Sequence, residues 1–229
     1  MSYVSEFSVD LTANADRNLA LGSTIPPASF YTRFGKRALD VLLVVLVAPI
    51  ALPLVLLCAL AIRIDGGPAF FQQNRLGRDG RVFPILKLRT MVVDAETRLQ
   101  DHIETNPDAR QEWEVNQKLK VDPRITGIGR LLRCSSFDEL PQLWNVLRGD
   151  MSLIGPRPMT VEQGPLYPDY AYYLVRPGVS GPWQVADRHE TSFAERAIYD
   201  NDYVRGLSFW GDLRILSKTI MVVLRCTGL

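Results

Sequence analysis

Histidine and cysteine are scarce in this chain of 229 residues, which has two of the first and three of the second. His102 and His189 lie far apart, and no pair among Cys58, Cys134 and Cys226 stands at metal-ligand spacing. A zinc site is therefore excluded. Three cysteines cannot all pair within one chain, so a reducing, cytosol-facing domain without a disulfide framework is expected. An excess of one charge is also missing: 26 Lys and Arg face 25 Asp and Glu, a net charge of +1. That balance argues against a nucleic-acid partner, which calls for a clear basic surplus. With 47% hydrophobic and 22% charged residues, the chain is neither disordered nor an ordinary multi-span membrane protein. No internal repeat is evident, and the length suits one domain with a small appendage.

Long charge-free runs are lacking too, with one exception. Residues 1–30, rich in Ser, Thr, Ala and Asn and carrying Pro26-Pro27, read as a flexible leader. Val41 to Ile62 then gives 22 residues without a charge, enough to cross a hydrocarbon core of roughly 30 Å. A straight transmembrane helix is the plain interpretation. Two observations oppose it. Pro49 and Pro53 each remove a backbone donor near the middle, which predicts a kink or break, with Pro49 the favoured position. Cations flank both ends, Arg33, Lys36 and Arg37 before and Arg63 after, and the positive-inside rule assigns both flanks to the cytoplasm. A proline-broken re-entrant helix over 31–64 satisfies both, with a cytosolic catalytic domain over 65–229. Near the C-terminus Arg214, Lys218 and Arg225 share one helical face, opposite Leu213, Leu216, Ile220, Val223 and Leu224. Such a helix either lies at a membrane interface or packs on the core.

Beyond Gly66 the chain alternates short apolar runs with Gly and Pro. Val82–Thr90 reads as a strand with Phe83, Ile85, Lys87 and Arg89 on one face, its cations either an anion site or a solvated strand end. Asp94 to Lys118 reads as two exposed or interfacial helices interrupted at Pro107. Few strands are expected. The fold class is α+β, mainly helical, with amphipathic interfacial helices.

Chemistry concentrates in Arg130–Pro158, whose centre is the acidic pair Asp138-Glu139 before an amphipathic helix. Ser136 and Glu139 match a capping box, and Asp138 itself could cap a helix with Pro141 in its first turn. The surroundings favour catalysis. Arg130 and Arg133 share a helical face, and Arg157 is held between Pro156 and Pro158. Arginines, a carboxylate pair and a helix N-terminus are the parts that handle a pyrophosphate. The carboxylates could share magnesium with substrate phosphates, or one could attack phosphorus.

Taken together, KRALD at 36–40, the proline-interrupted apolar run, QQNRLGRDGRVFPILKLRTM at 72–91, SSFDELPQLWNVLRGDMSLIGPRP at 135–158 and RPGVSGPWQV at 176–185 resemble the bacterial sugar transferases. The likeness is to small monotopic phosphoglycosyl transferases of the exopolysaccharide galactosyl- or glucosyl-1-phosphate type, and runs from about Arg33 to the C-terminus. It implies ping-pong transfer of phosphosugar from a UDP-sugar to polyprenyl (undecaprenyl) phosphate, with release of UMP. By this resemblance Asp138 is the nucleophile, and Glu139 handles protons or holds Mg2+. Lys87, Arg89, Arg133 and Arg157 lie near the phosphates, and Asp200 is a late acidic residue of the site. It also implies the cytoplasmic face of a bacterial inner membrane, contact with membrane lipids, and room for a homodimer. Ala186-Asp187-Arg188 departs from the Ser-Gly-Arg or Asn-Gly-Arg turn common in the family, which bears on sugar identity. Two other readings compete: an inactive membrane scaffold of polysaccharide assembly, and a phosphohydrolase with water as acceptor. The first predicts loss of Asp138 or its arginines, all of which are present. The second has no use for a leaflet-embedded helix.

Overall fold

In the computed structural model, residues 26–64, 66–116, 119–186 and 193–225 are described. Most of the leader expected over 1–30, and the Asp187-Arg188 turn, lie outside them. A π-helical turn at Tyr31–Gly35 leads into α1 (Lys36–Ile64). Hydrophobicity alone would let α1 cross a membrane. Its backbone stays helical through Pro49 and Pro53, so the break expected there is not found. Each proline still leaves the carbonyl four residues earlier without its helical donor.

The fixed side of α1 is a stripe of Asp40, Val44, Ala51, Ala59 and Ile62, which recur on one helical face. Val44 joins Phe83, Ile85, Val146 and Met151 in one cluster, and Ala59 and Ile62 join Ala69, Leu88 and Leu132 in another. Polar contacts anchor its first turns. Lys36 Nζ donates to Asp212 at 2.7 Å and to the Ile154 carbonyl at 2.9 Å. Arg37 donates to the carbonyls of Val146 and Leu147, where a cation suits the end of a helix. Asp40 accepts from Ser152 Oγ at 2.8 Å and Leu153 N at 3.0 Å. KRALD is therefore the clamp that fixes α1 to the rest of the chain. The outer side is different: Leu46, Ile50, Leu52, Leu56 and Leu60 are 62% to 74% exposed.

The rest is α+β and mainly helical, as expected. Strands β1 (Phe70–Leu76) and β2 (Val82–Leu88) form an antiparallel hairpin, with Phe71 opposite Lys87 and Arg75 opposite Phe83. Helices α2 (Ala95–Thr105) and α3 (Pro107–Asn116) meet at the expected break. There Asn106 caps α3 by accepting from Asp108 N and Ala109 N. α4 (Gly127–Cys134) and α5 (Gln142–Arg148) flank the acidic pair. Two short parallel strands follow, β3 (Ser152–Ile154) and β4 (Gly178–Ser180). Gly155 and Gly178 touch so closely that a Cβ on Gly178 would stand 2.2 Å from Gly155 N, which explains a glycine in each motif. α6 (Arg196–Arg205) and α7 (Phe209–Leu224) complete the chain. α7 meets both expectations in part: Ile215 and Leu216 pack inward, while Trp210, Ile220 and Leu224 face out. Cys134 is disulfide-bonded, contrary to the thiols expected from the cysteine count, and Cys58 is free.

Candidate active site

The sequence Ser136-Phe137-Asp138-Glu139 does not form a capping box. Ser136 adopts a left-handed backbone, φ 58°, and its side chain caps nothing. A 3-10 turn spans Phe137–Glu139, and Pro141 rather than Asp138 occupies the N-cap of α5. A left-handed non-glycine residue costs about 1–2 kcal/mol, so this turn is held by its surroundings. Phe137 supplies one hold, packing on the cluster of Ala59, Ile62, Leu88 and Leu132. The turn thus sits against the far end of α1.

Asp138 is buried, and its carboxyl is pushed up to about 6. Desolvation is the main cause; Glu139 adds to it, while Lys87, Arg133 and Arg157 oppose it. Glu139 accepts from Lys87 Nζ at 2.8 Å and from Arg157 Nη2 at 3.4 Å. Lys87 reaches it because alternation on β2 buries Phe83 and Ile85 beneath the same face. Arg133, in the last turn of α4, donates its Nε to Thr90 Oγ1 at 2.9 Å. That approach requires Gly129, where a Cβ would stand 2.0 Å from the Thr90 carbonyl. Arg130 points to solvent.

The fold gathers Asp138, Glu139, Lys87, Arg133 and Arg157 into one electrostatic group. Arg89 is elsewhere. β2 ends at Leu88, so alternation no longer governs Arg89, and its guanidinium donates to the carbonyls of Ile62, in the last turn of α1, and of Gly66, just past it. Asp200 is fully buried behind the site. It accepts from Tyr167 Oη at 2.6 Å and faces Arg196 Nε at 3.4 Å. Burial still raises its carboxyl, against the pull of Arg196 and Tyr167. Arg196 donates to the Arg157 carbonyl and lies among the rings of Tyr167, Tyr172, Trp183 and Phe193. Asp200 therefore acts through Arg196 on the Pro156-Arg157-Pro158 backbone.

A small, open pocket lies here, lined by Arg75, Ile85, Lys87, Glu139, Gln142, Arg157, Pro158 and Val179. Sequence reasoning missed Arg75, Gln142 and Arg196. Arg75 was legible in principle, since pairing with Phe83 places it on the same face of the hairpin as Phe83 and Lys87. Gln142 and Arg196 carry no local signal. Among the described residues no three His, Cys, Asp or Glu side chains converge on a metal position. A magnesium ion held by one or two carboxylates and substrate phosphates does not need three, so Asp138 and Glu139 are a fitting donor set.

Comparison with known proteins places this geometry. The model of the bacterial sugar transferases matches residues 31–226. The chain is 44% identical over 199 residues to an undecaprenyl-phosphate galactose phosphotransferase of Salmonella typhimurium, covering 86% of this chain and 42% of that protein. It is 41% identical to the exopolysaccharide production protein ExoY of Sinorhizobium fredii, covering 84% and 87% respectively. It is 44% identical to a UDP-glucose:undecaprenyl-phosphate glucose-1-phosphate transferase of Caulobacter vibrioides, covering 81% and 68%. The chain spans under half the length of the Salmonella protein and a similar one of Erwinia amylovora. A match through both the apolar helix and the polar pocket, with identity above 40% over most of the chain, makes this chain a member of the bacterial sugar transferase family.

Proposed function

We propose that this chain transfers hexose-1-phosphate from a UDP-sugar to polyprenyl phosphate, the initiating step of exopolysaccharide or glycoconjugate synthesis. The observation that carries this reading is Asp138: a buried carboxyl with no hydrogen-bond partner among the described residues, surrounded by Lys87, Arg133 and Arg157. Its oxygen attacks the phosphorus that bears the sugar. The phosphorus–oxygen bond to UMP breaks, and UMP leaves with the electron pair. An oxygen of polyprenyl phosphate then attacks the same phosphorus and returns Asp138 as a free carboxylate. Lys87, Arg133 and Arg157 offset the phosphate charge, and desolvation strengthens each contact. Glu139 holds Lys87 and Arg157 in place and, with Asp138, is where Mg2+ would bind; the ion would supply charge neutralisation at the phosphates.

The acceptor is a lipid, and α1 brings the site to it. The two ends of α1 pack on the same hairpin, Val44 against Phe83 and Ile85, and Ile62 against Leu88. A helix crossing the bilayer would carry that hairpin with it. A helix that enters and leaves one leaflet keeps the domain on the cytoplasmic face and presents Leu46, Ile50 and Leu56 to lipid. Pro49 and Pro53, inside α1, are where a bend would cost the fewest backbone hydrogen bonds. Cysteine-accessibility labelling tests this: flanks of 41–62 on opposite membrane faces would refute it.

The reaction is tested by UMP release from a panel of UDP-hexoses and UDP-N-acetylhexosamines, with magnesium, with and without polyprenyl phosphate. Lipid-dependent release from one donor, lost in Asp138→Asn, is expected and names the sugar. No release by a folded, membrane-bound protein would favour a scaffold. Release of sugar phosphate to water without lipid would favour a hydrolase.

A further inference from the structure

Two donors in the pocket have no part in the chemistry above. Gln142, the first residue of α5, is 1% exposed, and its amide nitrogen has no hydrogen-bond partner among the described residues. Arg75, near the end of β1, donates Nη1 to the Pro158 carbonyl at 3.3 Å and Nη2 to Gln73 Oε1 at 2.6 Å. Its Nε is buried and, among the described residues, unpartnered. Buried donors rarely go unmatched in folded proteins, because an unmade hydrogen bond forfeits the solvation of the group. Both residues line one pocket in which Arg75, Lys87 and Arg157 face a single carboxylate, Glu139. An anion with acceptor oxygens matches all of them. Burial, and then the nearby Arg157, lower the Arg75 guanidinium to about 10, so it remains a cation at neutral pH. Bound anion would relieve the repulsion between these two arginines.

The register says which part of a diphosphate this corner suits. Arg75 and Lys87 lie on one face of the hairpin on opposite strands, offset by four residues, or about 13 Å along the strand direction. Lys87 holds Glu139 beside the nucleophile, and Arg75 lies away from it. Displacement at phosphorus proceeds with attacking and leaving oxygens in line. When Asp138 attacks, the leaving phosphate of UMP stands opposite it. When the lipid phosphate later displaces Asp138, it enters from that same opposite side. Given the proposed reaction, we infer that Arg75 and Gln142 form one phosphate subsite, occupied first by the departing UMP phosphate and then by the phosphate of the polyprenyl acceptor. UMP and acceptor thus exclude each other, and transfer to lipid begins only after UMP has gone.

The experiment is equilibrium binding to the full chain in lipid nanodiscs, with UMP and farnesyl phosphate as probes. Wild type is expected to bind either one, and farnesyl phosphate to raise the apparent Kd of UMP without limit as its concentration rises. Arg75→Gln and Gln142→Leu are each expected to weaken both ligands by roughly ten- to a hundredfold, and Arg75→Lys by less. Simultaneous binding of the two ligands overturns the inference, as does a loss confined to one of them. If Arg75→Gln does not fold, Gln142→Leu decides, and unchanged affinity for both probes in that variant overturns it. Competition without UMP release from any UDP-sugar would count against the proposed reaction and leave the shared subsite standing.

Discussion

Asp138 and Asp200 are both buried carboxylates, yet the regions around them are built to opposite ends. In α6, Asp200 is held by Tyr167 and by Arg196, which is itself enclosed by four aromatic rings. In the turn before α5, Asp138 has charges around it and no hydrogen bond among the described residues, on a backbone bent at Ser136. Desolvation raises both carboxyls. What separates them is partners: Asp200 accepts from Tyr167 and faces Arg196 through one oxygen, its other oxygen unpartnered among the described residues, whereas Asp138 has only the field of the cations around it and is left free to react.

The largest test of that contrast is Asp138→Asn. Turnover should fall at least about a thousandfold, as for loss of a covalent nucleophile. The variant should also be more stable at neutral pH. Folding raises this carboxyl from 3.8 to about 6, so it favours the neutral form. The stability this group contributes is therefore full below 3.8 and is lost as pH rises through about 6. An uncharged Asn escapes that loss, a gain on the order of 1–3 kcal/mol at pH 7.5 that vanishes in acid. Thermal melts at several pH values measure it.

Asp200→Ala should behave in the reverse way. It leaves Arg196 buried without its carboxylate, and stability should drop by about 3–5 kcal/mol in denaturant titrations. Turnover should drop less than in Asp138→Asn, because Arg157 loses support and the nucleophile remains. A smaller effect is expected of pH. The rate constant kcat/KM should decline below about pH 6 as Asp138 takes up a proton. Because Glu139 raises that carboxyl, Glu139→Gln should shift the acid limb to lower pH, read from the residual activity of the variant. The smallest effect belongs to Arg89→Ala. Its guanidinium serves the end of α1, so KM for the UDP-sugar should change by less than about threefold, with stability down by about 1 kcal/mol.

Much of the site was legible because its residues are close in the chain or share a periodic face. Asp138 and Glu139 are adjacent, Arg133 and Arg157 lie within the same motif, and β2 alternation placed Lys87. The same alternation misled at Arg89, because a strand boundary is set by pairing and Ala69 is the last partner of that end. Arg196 and Gln142 were not visible. Their roles depend on a carbonyl 39 residues away and on burial at the N-terminus of a helix, neither of which leaves a local pattern. The proline positions likewise predict a kink or break. Flanking helical turns kept the backbone helical there, since two missing amide donors are a modest loss against the hydrogen bonds of a long apolar helix.

By itself the sequence determined an apolar segment long enough to enter a bilayer, a mainly helical α+β chain, and an acidic pair among arginines. These follow from hydrophobicity, periodicity and charge, which act along the chain over a few residues. Only the tertiary structure decided that α1 lies along the hairpin by a stripe from Asp40 to Ile62. It alone decided that Ser136 turns left-handed instead of capping, that Asp200 works through Arg196, and that Arg75 joins the phosphate pocket. Each of these depends on burial and on partners distant in sequence, and desolvation of a group is a property of what the whole chain packs around it.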